Sequence, residues 1–175
     1  MNSKAVFFDR DGVINKSYLI DGKPHAPLLY SDFHVLEFVK KTLDFTKKSG
    51  YKNIIITNQP NLSPDIGTLR QSELDKMHEH LLTNFSIDLI LTCPHSRNYG
   101  CECRKPKIGN ILLAARKFNI NLSESYFVGD RAVDIECAHR AKLKKAFFID
   151  YNYPEQKPLH DHIIISNISE ICHYI

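Results

Sequence analysis

Five short stretches of this 175-residue chain carry side chains whose types and spacing suit chemistry. Asp9-Arg10-Asp11-Gly12 sets two carboxylates two residues apart, on one side of an extended segment, and Gly12 lets the backbone turn sharply beneath them. A turn or a helix-cap pair would use the same residue types. Thr57-Asn58-Gln59 offers a hydroxyl and two amides that can donate hydrogen bonds to an anion's oxygens. Arg104-Lys105-Pro106-Lys107 is a cationic stretch able to neutralise a phosphate, or a solvated basic loop. Gly129-Asp130-Arg131, followed by Asp134, brings further carboxylates, and acids at close range attract a hard cation such as Mg²⁺. Cys93, Cys101 and Cys103, three of the five cysteines, crowd around His95, a pattern of thiolate metal chemistry rather than of a disulfide framework.

Chemistry of this kind needs elements that deliver the residues to one place. Ala5 to Phe8, Asn53 to Ile56, Leu89 to Thr92, Tyr126 to Val128, Ala146 to Ile149 and Ile163 to Ile165 are short apolar runs, the signature of strands buried on both faces. Between them lie helix patterns: Val39, Leu43 and Phe45 on a run that stops at Gly50; Leu74, Met77 and Leu81; Ile111, Leu112, Ala115 and Phe118; and Ala132 to Ala141. The tail from Tyr151 to Lys157, with Pro154 and then Pro158, reads as a loop leading to the last strand and a short closing helix. Strand and helix in turn imply an α/β fold with a mainly parallel central sheet, a Rossmann-like three-layer sandwich. In such a fold the acids, the Thr-Asn-Gln tripeptide and the other reactive groups meet at the carboxyl ends of the strands.

Length and composition set outer bounds. The chain has room for one domain, residues 1–175, and shows no repeat or linker that would divide it. Its apolar content of 43% excludes disorder, and no apolar run approaches a membrane span. A net charge of +3 is too weak a bias to make nucleic acid or membrane the main partner, and it leaves small anions open as ligands. The chain passes from Ala5-Val6-Phe7-Phe8 at once into Asp9 and Arg10, unlike a secretory leader, and the reduced cysteines suit the cytoplasm. A monomer is the default.

Taken in order, Phe7-Phe8-Asp9-Arg10-Asp11-Gly12-Val13-Ile14-Asn15, then Thr57-Asn58-Gln59, then Lys105-Pro106, then Val128-Gly129-Asp130 with Asp134, the sequence resembles the four motifs of the haloacid dehalogenase (HAD) superfamily of phosphatases. Cys93-Pro94-His95 and Cys101-Glu102-Cys103-Arg104-Lys105-Pro106 resemble the zinc loop, here 93–103, of the superfamily's heptose-bisphosphate and histidinol-phosphate phosphatase branch. The resemblance implies that Asp9 is the nucleophile and forms an aspartyl-phosphate, and that Asp11 is the acid and then the base. It implies catalytic Mg²⁺ on Asp9, the Asp11 main-chain carbonyl and Asp130, and structural Zn²⁺ closed by Cys93, His95, Cys101 and Cys103. Thr57, Asn58, Gln59 and Lys105 are the implied phosphate binders, with Arg104 and Arg131 placed to read the rest of the substrate. Asp134 is expected to orient Lys105 or a metal-bound water.

The intervals between motifs are too short for a large cap domain, so an open site and a small phosphorylated sugar are expected, in a pathway such as lipopolysaccharide heptose synthesis. D-glycero-D-manno-heptose 1,7-bisphosphate, hydrolysed at the 7-phosphate, is the first choice; histidinol phosphate or another phosphosugar is the alternative. The branch usually continues Thr-Asn-Gln with Ser-Gly-Ile-Ala-Arg-Gly, whereas this chain reads Pro60-Asn61-Leu62-Ser63-Pro64-Asp65-Ile66-Gly67, and only five residues separate His95 from Cys101. A zinc-stabilised binding module without catalysis is the alternative of another class, disfavoured by the presence of both Asp9 and Asp11. His25 and His34 lie outside the motifs and read as surface or packing residues, and Cys137 and Cys172 as core or free thiols.

Overall fold

The computed structural model describes residues 2–175. In chain order the main elements are β1 (Lys4–Phe8), β2 (Tyr18–Ile20), β3 (Lys23–His25), α1 (Val39–Lys48), β4 (Tyr51–Asn58), α2 (Gln71–Asn84), β5 (Leu89–Cys93), α3 (Gly109–Phe118), β6 (Tyr126–Gly129), α4 (Ala132–Arg140), β7 (Lys145–Ile149) and β8 (Ile163–Ile165). Six of the strands form one parallel sheet in the order β5-β4-β1-β6-β7-β8. The expected α/β sandwich is therefore present. After β5 the chain crosses to the other side of β1, and an α/β sheet opens its crevice where strand order reverses in this way.

Side-chain alternation along the strands sorts the core into two layers. Val6, Phe8, Ile55, Val128, Phe147 and Ile149 pack on one face with Val39 and Leu43 of α1, Met77 and Leu81 of α2, and Ile168 and Ile171 of a closing 3₁₀ helix (Ile168–His173). Phe7, Ile54, Ile56, Phe127 and Phe148 turn the other way, onto Ile111 and Ala114 of α3 and Ile135 and Ala138 of α4. The outer strands β5 and β8 are only partly buried, because each has a neighbour on one side alone. Phe45, which the sequence pattern groups with the apolar face of α1, is 39% exposed: two residues beyond Leu43 it sits about 200° around the helix.

The segment after β1 holds a feature that no apolar run announces. β2 and β3 pair as an antiparallel ribbon around Asp21-Gly22, both with positive φ (50° and 73°), the backbone of a two-residue hairpin turn. Among the described residues no separate cap stands beyond this ribbon and α2, and no helix is long and apolar enough to cross a membrane.

Phe127 is fully buried and stacked on Phe7, with ring centroids 6.4 Å apart. Phe127→Ala should cost about 3–5 kcal/mol of unfolding free energy, read from urea titration followed by circular dichroism.

Candidate active site

The last residues of β1 and β6 lead directly into acids. Asp9 continues the β1 ladder, its N–H donating to the Val128 carbonyl at 2.9 Å, and Asp130 follows Gly129 at the end of β6. Gly12 has φ 91°, and a Cβ there would lie 2.0 Å from Asp130 Oδ2, so only glycine lets the turn after β1 pass this close to the acid. Gly129 does the same for Asp134, whose Cβ would be 2.2 Å from an added methyl. Oxygens of Asp9, Asp130 and Asp134 lie within 4.8 Å of one another, all buried.

One lysine runs into this group. Lys105 Nζ is 2.7 Å from Asp9 Oδ1 and 2.7 Å from Asp134 Oδ1, with its side chain 1% exposed. Burial pulls the lysine's pKa down, but the Asp134 and Asp9 charges outweigh it and hold the ammonium above its ordinary range. Asp134 gives its other oxygen to the Arg131 N–H at 3.1 Å, capping α4, so both of its oxygens are committed within the protein. Asp9 Oδ1 also accepts from the Arg10 N–H at 2.7 Å, leaving Oδ2 without a protein partner. Neither oxygen of Asp130 has an aligned hydrogen-bond partner, though the residue is 1% exposed. Burial, offset in part by Lys105 and reinforced by Asp134 and Asp11, raises the Asp9 pKa to about 7. Burial together with Asp9 and Asp134 raises Asp130 well above the carboxylate range, against smaller opposing effects of Lys105 and the Tyr153 hydroxyl. Buried anionic oxygens without donors are what a hard divalent cation binds, so the residues present fit magnesium.

Asp11 has a different environment. Its carboxylate accepts from the Arg10 guanidinium (Nη2 at 2.9 and 3.1 Å, Nε at 3.2 Å), from Asn15 Nδ2 at 3.0 Å and from Gln59 Nε2 at 2.7 Å. Arg10 is wholly buried, its remaining donors directed to His78 Nε2 at 3.3 Å and the Met77 sulfur at 3.9 Å. Burial and the Arg10 charge lower the His78 pKa to about 4, keeping that ring a neutral acceptor. Thr57 and Gln59, two of the expected phosphate binders, meet on the Asp11 side of this edge. Both are fully buried, and Gln59 spans from Thr57 Oγ1 (2.8 Å) to Asp11. Asn58 grips the main chain of Lys105, donating to its carbonyl at 3.2 Å and accepting from its N–H at 3.1 Å.

Cys93 ends β5, and the loop after it returns three more metal-ligand types. Cys93 Sγ is 3.6 Å from Cys101 Sγ and 3.7 Å from His95 Nδ1, while Cys103 Sγ is 3.5 Å from Cys101 Sγ and 3.3 Å from His95 Nδ1. A tetrahedron with Zn–S and Zn–N bonds of ordinary length has edges of about 3.5–3.8 Å, so this donor set fits a four-coordinate metal. His95 stacks on Tyr99 at 4.1 Å, and its carbonyl accepts from Arg104 Nη1 at 3.2 Å.

A cleft of about 600 Å³ connects the two groups, lined by Asp9, Asp11, Asn58, Lys105 and Asp130 and by the guanidinium-bearing Arg97, Arg104 and Arg131. Ser17 and His25 of the ribbon segment and Asn61 also line it; Ser17 carries no motif, and His25, which reads as a surface or packing residue from the sequence, faces the cleft instead. The available signal was Asp21-Gly22, which marks a hairpin and hence a wall beside the site. Burial lowers the Arg104 pKa, opposed by the Cys93 and Cys101 thiolates and aided by the neighbouring Arg97 and Arg131 charges.

The fold is that of a HAD-superfamily hydrolase from Ehrlichia chaffeensis, whose crystal structure it matches with a TM-score of 0.64 at 17% identity over 99% of this chain and 97% of that one. The chain belongs to the polynucleotide kinase 3 phosphatase family, whose model matches residues 4–157. It is 34% identical over 179 residues to the D-glycero-beta-D-manno-heptose-1,7-bisphosphate 7-phosphatase of Helicobacter pylori (strain J99 / ATCC 700824), covering 99% of this chain and 97% of that one. It is 32% identical over 181 residues to the histidine biosynthesis bifunctional protein HisB of Blochmanniella floridana, covering 99% of this chain and 48% of the longer relative. Its fold matches the crystal structure of D,D-heptose 1,7-bisphosphate phosphatase from B. bronchiseptica, complexed with magnesium and phosphate, with a TM-score of 0.83 at 22% identity over 98% and 97% of the two chains.

The raised carboxyl pKa values have a consequence for stability. A folded carboxyl that holds its proton to higher pH than the unfolded chain contributes stability at low pH that is lost as pH rises through the folded value, near 7 for Asp9. Asp130→Asn removes one of these charges and should make the magnesium-free protein more stable than the parent. The gap should widen between about pH 5 and 8, as measured by urea midpoints after dialysis against magnesium-free buffer.

Proposed function

We propose that this protein hydrolyses the phosphate monoester of a small phosphorylated sugar, D-glycero-D-manno-heptose 1,7-bisphosphate at its 7-phosphate first of all, through an aspartyl-phosphate on Asp9. The observation that carries the reading is the end of β1: Asp9 lines the cleft with one oxygen fixed by Lys105 and Arg10 and the other unpartnered, beside an Asp130 carboxylate without an aligned protein donor. The free Asp9 oxygen attacks phosphorus as the bond to the sugar oxygen breaks, and the Asp11 carboxyl delivers a proton to that oxygen. Water then attacks the phosphorus, Asp11 takes its proton, and the Asp9 carboxylate is released. To do this Asp11 must turn from its Arg10, Asn15 and Gln59 donors toward the cleft that it already borders. Lys105 supplies charge to a phosphoryl oxygen while keeping its hold on Asp134. Magnesium, bound through Asp9, the Asp11 main-chain carbonyl and Asp130, would offset the repulsion between a carboxylate nucleophile and a phosphate dianion.

The sugar bisphosphate reading is supported by the relatives' names and by the cationic wall of Arg97 and Arg104, neither of which forms a salt bridge among the described residues. Histidinol phosphate is the second reading, favoured by the match to the HisB relative along the length of this chain, but its amine would meet the same cations unfavourably. The family's name points to polynucleotide ends, yet a net charge of +3 gives little pull on a nucleic-acid backbone.

Phosphate release should require Mg²⁺, and Asp9→Asn should lower kcat by at least about 10³-fold without unfolding the protein. Ranking both heptose bisphosphate anomers, histidinol phosphate and fructose bisphosphate by kcat/KM tests the substrate, and a preference for histidinol phosphate would put that amine-bearing ester ahead of the heptose bisphosphate. For the thiolate cluster, elemental analysis should find about one zinc per chain, and Cys101→Ser should lower both zinc content and thermal midpoint.

A further inference from the structure

The acids of the catalytic edge have one cation close by that none of them uses. Arg131 follows Asp130 directly, yet its guanidinium is turned to Glu155, with Nε donating to Oε2 at 3.0 Å and Nη2 to Oε1. This side-on pairing occupies one edge of the fork and leaves Nη1 without a protein partner among the described residues, on a side chain that lines the cleft. Glu155 belongs to the irregular segment between β7 and β8. That segment is itself tied to the edge, since the Tyr151 hydroxyl donates to the Gly12 carbonyl at 3.0 Å and Tyr153 borders Asp130.

We propose that Glu155 is a positioning residue: it holds Arg131 aside so that the Asp130 carboxylate stays open to a divalent cation and Nη1 stays aimed at the substrate. Without Glu155, Arg131 would still have an acid one residue back in Asp130, buried and with neither oxygen held by an aligned donor among the described residues. An Arg131–Asp130 pair would then compete with the cation. This inference rests on the magnesium site proposed above, and it assigns the exclusion of an internal competitor to a residue outside all four motifs.

The test is calorimetric titration of the full-length protein with Mg²⁺, free of any activity readout, on the parent, Glu155→Gln, Arg131→Ala and the double variant. Glu155→Gln should weaken Mg²⁺ binding about fivefold, the effect of one partly exposed ion pair rearranged. In the double variant the affinity should equal that of Arg131→Ala alone, because the competitor is gone. Additive effects, with Glu155→Gln weakening Mg²⁺ binding by the same factor in the Arg131→Ala background as in the parent, would mean that Glu155 acts only through its charge and would overturn the proposal. So would unchanged binding in Glu155→Gln. Absence of Mg²⁺ binding in the parent would overturn the magnesium reading and this inference together, which separates the two failures.

Discussion

The Lys105 ammonium, buried 2.7 Å from both Asp9 and Asp134, is what lets three carboxylates share one end of the sheet. Charges within 4.8 Å of one another repel by about 3 kcal/mol per pair at an effective dielectric near 20, enough to protonate or expel one of them. The lysine cancels part of this from inside, and Asn58 fixes its main chain from both sides of the peptide. Remove that grip and the amine has no defined path to Asp9. The loop bearing Lys105 is in turn pinned at the cysteine cluster two residues upstream, so the thiolates and the carboxylates form one mechanical unit although they suit different kinds of metal.

Much of this is legible in the chain. Each apolar run is short, bounded by polar or turn residues and separated by a helix period, and that regularity is enough to write an α/β sheet with its acids at the carboxyl ends. Asp9 and Asp130 converge because strand ends converge, and Lys105 reaches them from a loop that Asn58, at the end of β4, holds in place. What the chain does not disclose is orientation within the tripeptide Thr57-Asn58-Gln59. A strand end says which residues arrive, but only packing says which way each one turns, and here Gln59 turns inward because the Asp11 carboxylate offers it a buried acceptor. Arg10 likewise reads as a spacer between two acids, and nothing in its spacing foretells that a guanidinium will be wholly buried. The ribbon of β2 and β3 is three residues a side, too short for a periodic pattern, and its one clear signal is Asp21-Gly22.

The segments that shape the cleft are the least regular ones. The ribbon contributes His25, the cysteine loop contributes Arg97 and Arg104, and the stretch after β7 contributes the residues that brace Gly12 and Arg131. A parallel sheet supplies a rigid edge but no walls, and loops anchored at both ends can supply walls at little cost to the core. The cysteine loop, only five residues between His95 and Cys101, could not hold a shape by apolar packing; a four-coordinate metal would replace the missing core.

A division of charge then separates acids that look alike in sequence. Asp9 is paired with Lys105, Asp11 with Arg10, and Asp134 with Lys105 and a helix N–H, whereas Asp130 is paired with no cation among the described residues. Side chains of one chemical type take different roles when their surroundings differ in this way. Arg10 matters as well as Lys105 in this division: by pairing with Asp11 it offsets part of that carboxylate's repulsion toward Asp9, and the acid left without a cation is Asp130. The position of that acid, beside the unpartnered oxygen of Asp9 and at the floor of the cleft, is where a divalent cation would do most to bring a phosphate dianion against a carboxylate.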